Sequence, residues 1–194
     1  MVKKILFPLI AIFLAYRSYE LLKTLWFLEP DALHWSVKII SAILINLFIT
    51  GVFAFVGFAY KTNRLLTKRY YHIKNPKFLN KFAQLLNIEL FRKFLLVLIW
   101  GKDKYRKRYF DGTQQGLENL DFQTRQSEFG HLGAFICILV AIIPLILQKH
   151  FLITIVTVLL NVIVNLYPVI LQRVHRIKIE RIRSIQFKIE SSPI

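Results

Sequence analysis

Long runs of apolar residues alternate with polar segments along the chain. Residues 39–60 form a run of 22 residues without a charge, and residues 151–171 form a second uncharged run. A helix needs about 20 apolar residues to cross the hydrocarbon core of a bilayer, so both runs predict membrane-spanning helices. Residues 130–147 are slightly shorter, but they end at a polar tripeptide, residues 148–150. That pattern indicates the first half of a tight helical hairpin.

The N-terminal run is the weakest of the four, because its strictly apolar part covers only residues 5–16. A charged start followed by a short apolar run is also typical of a signal peptide, but no small-residue cleavage pattern follows here. Arg17, Glu20 and Lys23 are spaced three residues apart, so they can pair along one face of a helix. We therefore expect an uncleaved first helix.

These patterns predict an all-α integral membrane protein with about four transmembrane helices, in a single membrane domain over residues 1–194. The predicted helices cover about residues 5–28, 39–60, 130–148 and 151–172. A basic segment, residues 61–128, separates the second helix from the third, and a basic tail, residues 173–194, follows the fourth.

The basic segment contains two further helical patterns. In residues 78–88, the polar residues Asn80, Gln84 and Asn87 recur at helical spacing, which predicts an amphipathic helix lying in the membrane interface. Residues 90–100 are mostly apolar but too few to span a bilayer, so we expect an interfacial or re-entrant piece.

The chain combines 55% hydrophobic residues with a formal net charge of +16. Basic nucleic-acid-binding domains reach such a charge at lower hydrophobicity, so we expect a membrane protein and no nucleic-acid partner. Seven Gly, six Pro and one Cys exclude collagen-like chains and disulfide scaffolds. Residues 61–128 hold 15 basic and six acidic side chains, and residues 173–194 hold six and two. The positive-inside rule then predicts that both termini and the basic segment are cytoplasmic.

One stripe of the fourth predicted helix is polar. At 100° per residue, six polar residues and one proline share a stripe about 100° wide: Thr154, Thr157, Asn161, Asn165, Pro168, Gln172 and Arg176. Polar groups at membrane depth are costly without partners. Contacts between helices can explain the two threonines, and also a smaller stripe with Asn46 and Thr50 on the second helix. Asn165, Gln172 and Arg176, near the cytoplasmic end, favour a substrate-facing role. Pro168 has no N–H, so the carbonyl of residue 164 lacks its usual helical hydrogen bond and adds a polar group to this face.

The third predicted helix begins with Glu128 and His131, three residues apart. This spacing puts both on one helix face, where a carboxylate can orient or charge an imidazole. A tight turn at residues 148–151 places His131 level with Pro168 and Glu128 level with Gln172. The convergence is typical of an active site. A helix cap followed by an interfacial histidine is the alternative, and the residues alone leave it open.

A metal site is not expected. Glu-x-x-His occurs in di-iron bundles, but that design needs two such motifs and two more glutamates, and Glu128-x-x-His131 stands alone on this side of the membrane. We therefore expect neither a metal nor another cofactor.

A basic run with interleaved aromatic residues spans residues 102–110 and ends in an Asp-Gly turn. Such a run can bind anionic lipid headgroups or dock a phosphorylated or acidic acyl donor, either acyl-coenzyme A or acyl carrier protein. The candidate residues are Lys104, Arg106, Lys107, Arg108 and Asp111.

Three motifs in this order resemble the glycosyl-diaponeurosporenoate acyltransferase family of staphyloxanthin-type carotenoid biosynthesis, mainly over residues 100–178. They are Lys-Tyr-Arg-Lys-Arg-Tyr-Phe-Asp-Gly at 104–112, Arg-Gln-Ser-Glu-Phe-Gly-His at 125–131, and Asn161-x3-Asn165-x2-Pro168-x3-Gln172-Arg173-x2-Arg176. The resemblance implies a multi-pass enzyme of the bacterial cytoplasmic membrane. It would move an acyl chain from an acyl thioester onto a hydroxyl of a glycolipid or glycosylated carotenoid.

The resemblance also implies roles for individual residues. His131 would act as general base on the acceptor hydroxyl, with Glu128 fixing its tautomer. Asn161, Asn165 and Gln172 would hold the sugar or the developing oxyanion. Arg173 and Arg176, together with the basic run, would bind the phosphates of the donor.

Two interpretations without acyl transfer remain open. The chain could be a small, non-enzymatic helical subunit of a larger membrane complex, in which case the polar stripes would contact membrane protein partners. The second interpretation is a transport or pore protein, which four helices with one polar stripe support only weakly.

Overall fold

A computed structural model describes residues 2–98 and 113–191. Within these ranges the chain is helical and contains no strand. The α-helices, numbered in chain order, are α1 (Val2–Phe27), α2 (Trp35–Ala59), α3 (Lys68–Tyr71), α4 (Pro76–Leu85), α5 (Ile88–Leu98), α6 (Gln114–Leu147), α7 (Phe151–Asn161) and α8 (Tyr167–Ser191). Short 3₁₀ turns occupy Pro30–Ala32 and Thr62–Arg64.

Four helical stretches are long and apolar enough to cross a membrane. They are Val2–Phe27, Trp35–Ala59, Gln114–Leu147 and Phe151–Ile185. Each covers one of the four predicted spans to within one residue, so the predicted fold class, an all-α membrane protein with about four transmembrane helices, is confirmed.

The helices that contain the third and fourth spans are longer than the spans themselves. The third begins at Gln114 rather than near residue 130, where the Thr113 hydroxyl accepts a hydrogen bond from the Gly116 N–H at 3.0 Å. The fourth continues to Ser191 instead of ending near residue 172. Hydropathy marks the apolar part of a helix, whereas capping groups and polar pairs extend the helix beyond it.

The chain forms two compact units. We call Met1–Thr62 with Phe129–Pro168 the apolar unit, and Asn63–Glu128 with Val169–Ile194 the basic unit. The single membrane domain expected over residues 1–194 stays a prediction.

The apolar unit has a core to which α1, α2, α6 and α7 all contribute. The buried side chains are Leu25, Ala42, Ile45, Ile49, Ile138, Ile142, Leu145 and Ile153. Helix α6 approaches α2 closely at Gly133, where an added Cβ would lie 2.3 Å from the Phe53 ring. Outside this core many large apolar side chains are exposed, as expected for helices that face lipid.

The predicted hairpin turn is present between α6 and α7. Lys149 adopts a left-handed conformation with φ 60°, and the His150 N–H donates to the Leu145 carbonyl at 2.8 Å. Nε2 of the His150 ring lies 2.7 Å from the carbonyl oxygen of Leu25 in α1. The turn is therefore tied to the first helix as well as to its own hairpin.

Five residues of π-helix, Val162–Leu166, separate α7 from α8. Pro168 has no N–H to donate to the carbonyl of Val164, four residues earlier. Single π turns inside α-helices occur frequently at functional sites, and this one contains Asn165.

The basic unit contains α3, α4 and α5 together with the polar ends of α6 and α8. The sequence predicted one amphipathic helix over residues 78–88, but α4 ends at Leu85 and α5 begins at Ile88. Asn87 lies between them with φ 51°, a left-handed conformation that asparagine tolerates better than most residues. The start of α4 is capped by Asn75, whose Oδ1 accepts from the Phe78 N–H at 3.0 Å.

Candidate active site

The described site residues fall into two clusters, one in each unit. His131, Asn161 and Asn165 belong to the apolar unit, and Glu128, Gln172, Arg173 and Arg176 belong to the basic unit. The predicted donor-binding residues Lys104, Arg106, Lys107, Arg108 and Asp111 lie outside the described residues.

His131 is the titratable group of the first cluster. Its Nδ1 lies 3.2 Å from Oδ1 of Asn165, and Asn165 itself is fully buried. The sequence assigned the orientation of this ring to Glu128. The side chain within hydrogen-bonding distance of Nδ1 is instead a carboxamide from the π-helical turn.

A relay of carboxamides determines which tautomer His131 adopts. Nδ2 of Asn161 donates to the Phe135 carbonyl at 3.1 Å, so its Oδ1 is left to accept from Nδ2 of Asn165 at 3.0 Å. The Oδ1 of Asn165 then faces His131 as an acceptor, and Nδ1 must carry the proton. The neutral imidazole therefore has its free lone pair on Nε2, which is the arrangement a general base needs.

Thr50 of α2 completes this cluster. Its hydroxyl donates to Oδ1 of Asn165 at 3.3 Å or accepts from Nδ2 of Asn165 at 3.0 Å. Asn46, on the same helix, donates to the Thr157 carbonyl at 3.1 Å. The interpretation of the second-helix stripe as an interhelical contact therefore agrees with the structure, and Thr50 also supports the residue that orients His131.

Glu128 is the centre of the second cluster, and it is 0% exposed. Its Oε1 accepts from Nε of Arg173 at 2.8 Å and from the Tyr70 hydroxyl at 3.0 Å. Its Oε2 accepts from Nη2 of Arg176. A buried carboxylate costs free energy unless it is paired and hydrogen-bonded, and here both oxygens have partners.

Two tyrosines of the short helix α3 surround the arginines. The Arg173 guanidinium lies 4.9 Å from the centre of the Tyr70 ring, and that of Arg176 lies 4.8 Å from the centre of the Tyr71 ring. Arg176 also donates to the Tyr71 carbonyl at 3.3 Å. Cation–π contacts of this kind strengthen when they are desolvated. The tyrosines are therefore part of the support for the ion pairs.

Burial and the nearby negative charge of Glu128 raise the pKa of both tyrosines, that of Tyr71 to about 12. Both phenols therefore stay protonated at neutral pH, and Tyr70 can act only as a donor towards Glu128. The sequence alone did not indicate these two residues. The only local signal was a Tyr-Tyr pair after two basic residues, which is too common to indicate a site.

Gln172 agrees with the predicted register of the helical hairpin. Its Nε2 donates to the Ser127 hydroxyl at 3.2 Å, one residue from the predicted level of Glu128. Arg173 keeps about a third of its side chain exposed, whereas the Arg176 side chain is 2% exposed. Of the two arginines predicted to bind phosphates, Arg173 is thus the more accessible to a ligand.

The basic unit also has a groove of about 430 Å³ between the α4–α5 pair and α8. Its polar lining includes the carboxamides Asn80, Gln84 and Asn87 and, opposite them, His175 and Lys178. No three His, Cys, Asp or Glu side chains in residues 2–98 and 113–191 come together in a way that could hold a metal ion.

The fold and these clusters define a helical membrane protein with an oriented histidine and a buried, arginine-bound carboxylate. A family model described as glycosyl-4,4'-diaponeurosporenoate acyltransferase matches residues 67–185. Because the match covers more than half of the chain, the chain belongs to this family, and family membership makes it an acyltransferase of carotenoid biosynthesis. Comparisons with curated proteins and with solved structures give no significant match.

The family match includes every residue of both clusters except Thr50. It begins at Thr67, whose hydroxyl caps α3 by accepting from the Tyr70 N–H at 3.2 Å. The match therefore extends the resemblance found in the sequence towards the N-terminus, to the helix that carries Tyr70 and Tyr71.

Proposed function

We propose that this acyltransferase moves a fatty acyl chain from an acyl thioester to a hydroxyl of a glycolipid or glycosylated carotenoid. The observation that carries the proposal is the 3.2 Å contact between Nδ1 of His131 and Oδ1 of Asn165. With the amide oxygen as acceptor, Nδ1 carries the proton and Nε2 is the proposed base. The acyl donor would be acyl-coenzyme A or acyl carrier protein.

In the proposed reaction, Nε2 of His131 takes the proton of the acceptor hydroxyl. The hydroxyl oxygen attacks the thioester carbonyl, the new C–O ester bond forms, and the C–S bond breaks. The proton held by His131 passes to the departing thiolate, so the histidine returns to its neutral form. Asn165 keeps Nδ1 protonated throughout, and Asn161 and Thr50 hold Asn165 in place.

For the basic unit we propose a binding and positioning role. The exposed part of Arg173 and the basic run at 102–110 would bind the phosphates of the donor. Arg176 is paired with the buried Glu128, so its proposed contribution is to hold Glu128 and the beginning of the third span. Gln172 and the carboxamides of the groove would bind the polar part of one substrate.

We also propose that the protein lies in the bacterial cytoplasmic membrane with both termini in the cytoplasm. The charge distribution supports this orientation, since residues 61–128 and 173–194 together hold 21 basic and eight acidic side chains.

The decisive experiment is a comparison of His131→Ala with His72→Ala in purified protein reconstituted in nanodiscs. Acyl transfer would be followed from radiolabelled acyl-coenzyme A to a glycosylated acceptor. Loss of a general base lowers the rate by about 10²–10⁴-fold, so we expect that fall for His131→Ala. His72 is exposed, and its replacement should leave the rate unchanged.

Unchanged acyl transfer by a folded His131→Ala protein would refute the proposed role of this histidine. The non-enzymatic alternative predicts a different outcome. In that case the wild-type protein would show no transfer by itself and would co-purify with a stoichiometric membrane partner after mild extraction.

A further inference from the structure

Helices α4 and α5 each expose a stripe of large apolar side chains. On α4 the stripe is Phe78, Phe82 and Leu85, and on α5 it is Leu90, Phe94 and Val97. Both stripes follow the spacing i, i+4, i+7, so each lies on one face of its helix. Leu85 is 81% exposed and Val97 is 80% exposed, which is far more than a side chain of a packed core.

The opposite sides of these helices face the rest of the basic unit. Ala83 of α4 and Ile88 at the start of α5 are buried within the basic unit, and the carboxamides between them line the groove. The Phe78 and Phe82 rings stack on one another with centroids 6.3 Å apart. The exposed stripes are therefore a preformed outer surface of the unit.

The charges beside this surface are positive. Lys77, Lys81 and Lys93 each immediately precede an aromatic residue of the stripes. Glu89 is the sole acidic residue of positions 76–98, and its Oε2 accepts from Nε of Arg92 at 3.0 Å. That guanidinium holds the pKa of the Glu89 carboxyl below its usual value, so the pair is neutral overall. The surface therefore combines an apolar face with a basic border.

We propose that the outer surface of α4–α5 inserts into the headgroup region of an anionic leaflet of the bilayer that this chain spans. Amphipathic helices with lysines beside an apolar face bind in this way, with the apolar side chains at the headgroup–acyl boundary and the ammonium groups at lipid phosphates. Large exposed apolar patches mark interaction sites. A second copy of the chain fits this surface less well, because its lysines would face lysines.

The proposal is independent of the acyl-transfer chemistry and can be tested without an activity assay. The chain has one cysteine, Cys137, so Cys137→Ser provides a background for single labels. An environment-sensitive fluorophore would be attached to Leu85→Cys or Phe94→Cys, with Gln84→Cys as the matched control. Gln84 is exposed on the same helix but lines the groove.

The labelled proteins would be placed in nanodiscs that contain phosphatidylglycerol and lipids with a nitroxide near the headgroup. We expect severalfold stronger quenching of the labels at 85 and 94 than of the label at 84. Quenching at 85 and 94 should fall when phosphatidylcholine replaces phosphatidylglycerol. Quenching at both positions should fall similarly in the triple variant Lys77→Gln, Lys81→Gln, Lys93→Gln, which changes only exposed side chains. Monodisperse elution from a size-exclusion column would show that this variant is folded.

Two results would overturn the proposal. One is the absence of lipid quenching at both positions 85 and 94. In that case, pyrene attached at position 94 would show by excimer fluorescence whether a second copy of the chain covers this surface instead. The other is lipid quenching that neither the loss of phosphatidylglycerol nor the triple lysine variant reduces, because the binding would then not depend on anionic lipid.

Discussion

The imidazole of His131 is oriented by the carboxamide of Asn165, with Nδ1 and Oδ1 3.2 Å apart. Asn165 is in turn bonded to Asn161 and Thr50, both at 3.0 Å. A neutral amide thus orients the imidazole here, as a carboxylate orients the histidine of many hydrolytic enzymes. An amide adds no charge at membrane depth, where an ionised group would be costly.

Asn165→Leu should lower kcat by about 10²-fold and change KM little, because a misoriented base is lost from the chemical step rather than from binding. Steady-state kinetics in nanodiscs would measure both constants. Asn46→Leu is the matched control, since it removes another buried carboxamide of the apolar unit that bonds a backbone carbonyl away from His131. An equal fall in kcat in Asn165→Leu and Asn46→Leu would indicate that Asn165 contributes only to folding.

Glu128→Gln should destabilise the protein by about 3 kcal/mol, because removal of one partner leaves the buried Arg176 guanidinium without a counter-charge. Resistance to unfolding by SDS in mixed micelles would report the change. The double variant Glu128→Leu, Arg176→Met should recover most of the stability, because an apolar pair can replace a buried ion pair. A single variant as stable as the wild type would contradict the ion-pair assignment.

The two tyrosines of α3 should ionise late in an alkaline absorbance titration. Because the pKa of Tyr71 is raised to about 12 in the folded state, its contribution to stability is complete below about pH 10, the unfolded pKa of tyrosine. That contribution is lost as the pH rises from 10 towards 12. Glu128→Gln should bring both ionisations to lower pH. Tyr71→Phe should remove one late-titrating group, and a full set of tyrosines ionising near pH 10 would contradict the burial of this pair.

Gly133→Ala should destabilise the apolar unit by about 1–3 kcal/mol, since a methyl group there would overlap the Phe53 ring and force the helices to repack. Gly57→Ala is the control, because a Cβ at Gly57 meets no heavy atom within 4 Å. Thermal unfolding in detergent would measure both variants. Phe53→Leu should partly rescue Gly133→Ala, and a Gly133→Ala protein as stable as Gly57→Ala would refute the close approach.

Asn80→Trp should raise KM for one substrate without a change in stability, because an indole would fill part of the groove from an exposed position. Asn80→Ala removes the carboxamide but leaves the space open, so it separates the loss of hydrogen bonds from the loss of volume. The measurement is KM for the donor and the acceptor in turn. Unchanged values for both in Asn80→Trp would exclude the groove from substrate binding.

Local patterns were sufficient for the membrane helices, the hairpin turn and the approximate register of its two arms. Transmembrane segments are recognisable locally because the bilayer selects for uninterrupted apolar runs of a definite length. The polar stripe on the fourth helix was also visible in the sequence, since helical periodicity places Asn161 and Asn165 on one face. The hydrogen bond from Gln172 to Ser127 agrees with the register expected from the turn at residues 148–150.

The hydrogen-bond partners of Glu128 could not be predicted from local sequence patterns. Tyr70 is 58 residues away in the chain, and Arg176 is 48 residues away, and no periodicity relates side chains across such separations. The sequence therefore paired Glu128 with the histidine nearest to it. The π-helical turn at Val162–Leu166 was likewise missed, because Pro168 indicates a disturbed helix but does not specify how the backbone rearranges.

The linear order of apolar and charged residues thus accounts for a four-span basic membrane protein with a histidine, a glutamate and a polar stripe in one region of the chain. Which of these groups hydrogen-bond to each other depends on the packing of helices from distant parts of the sequence. That packing brings Asn165 to His131 and Arg176 to Glu128, and these contacts offset the free-energy cost of burying polar and charged groups away from water.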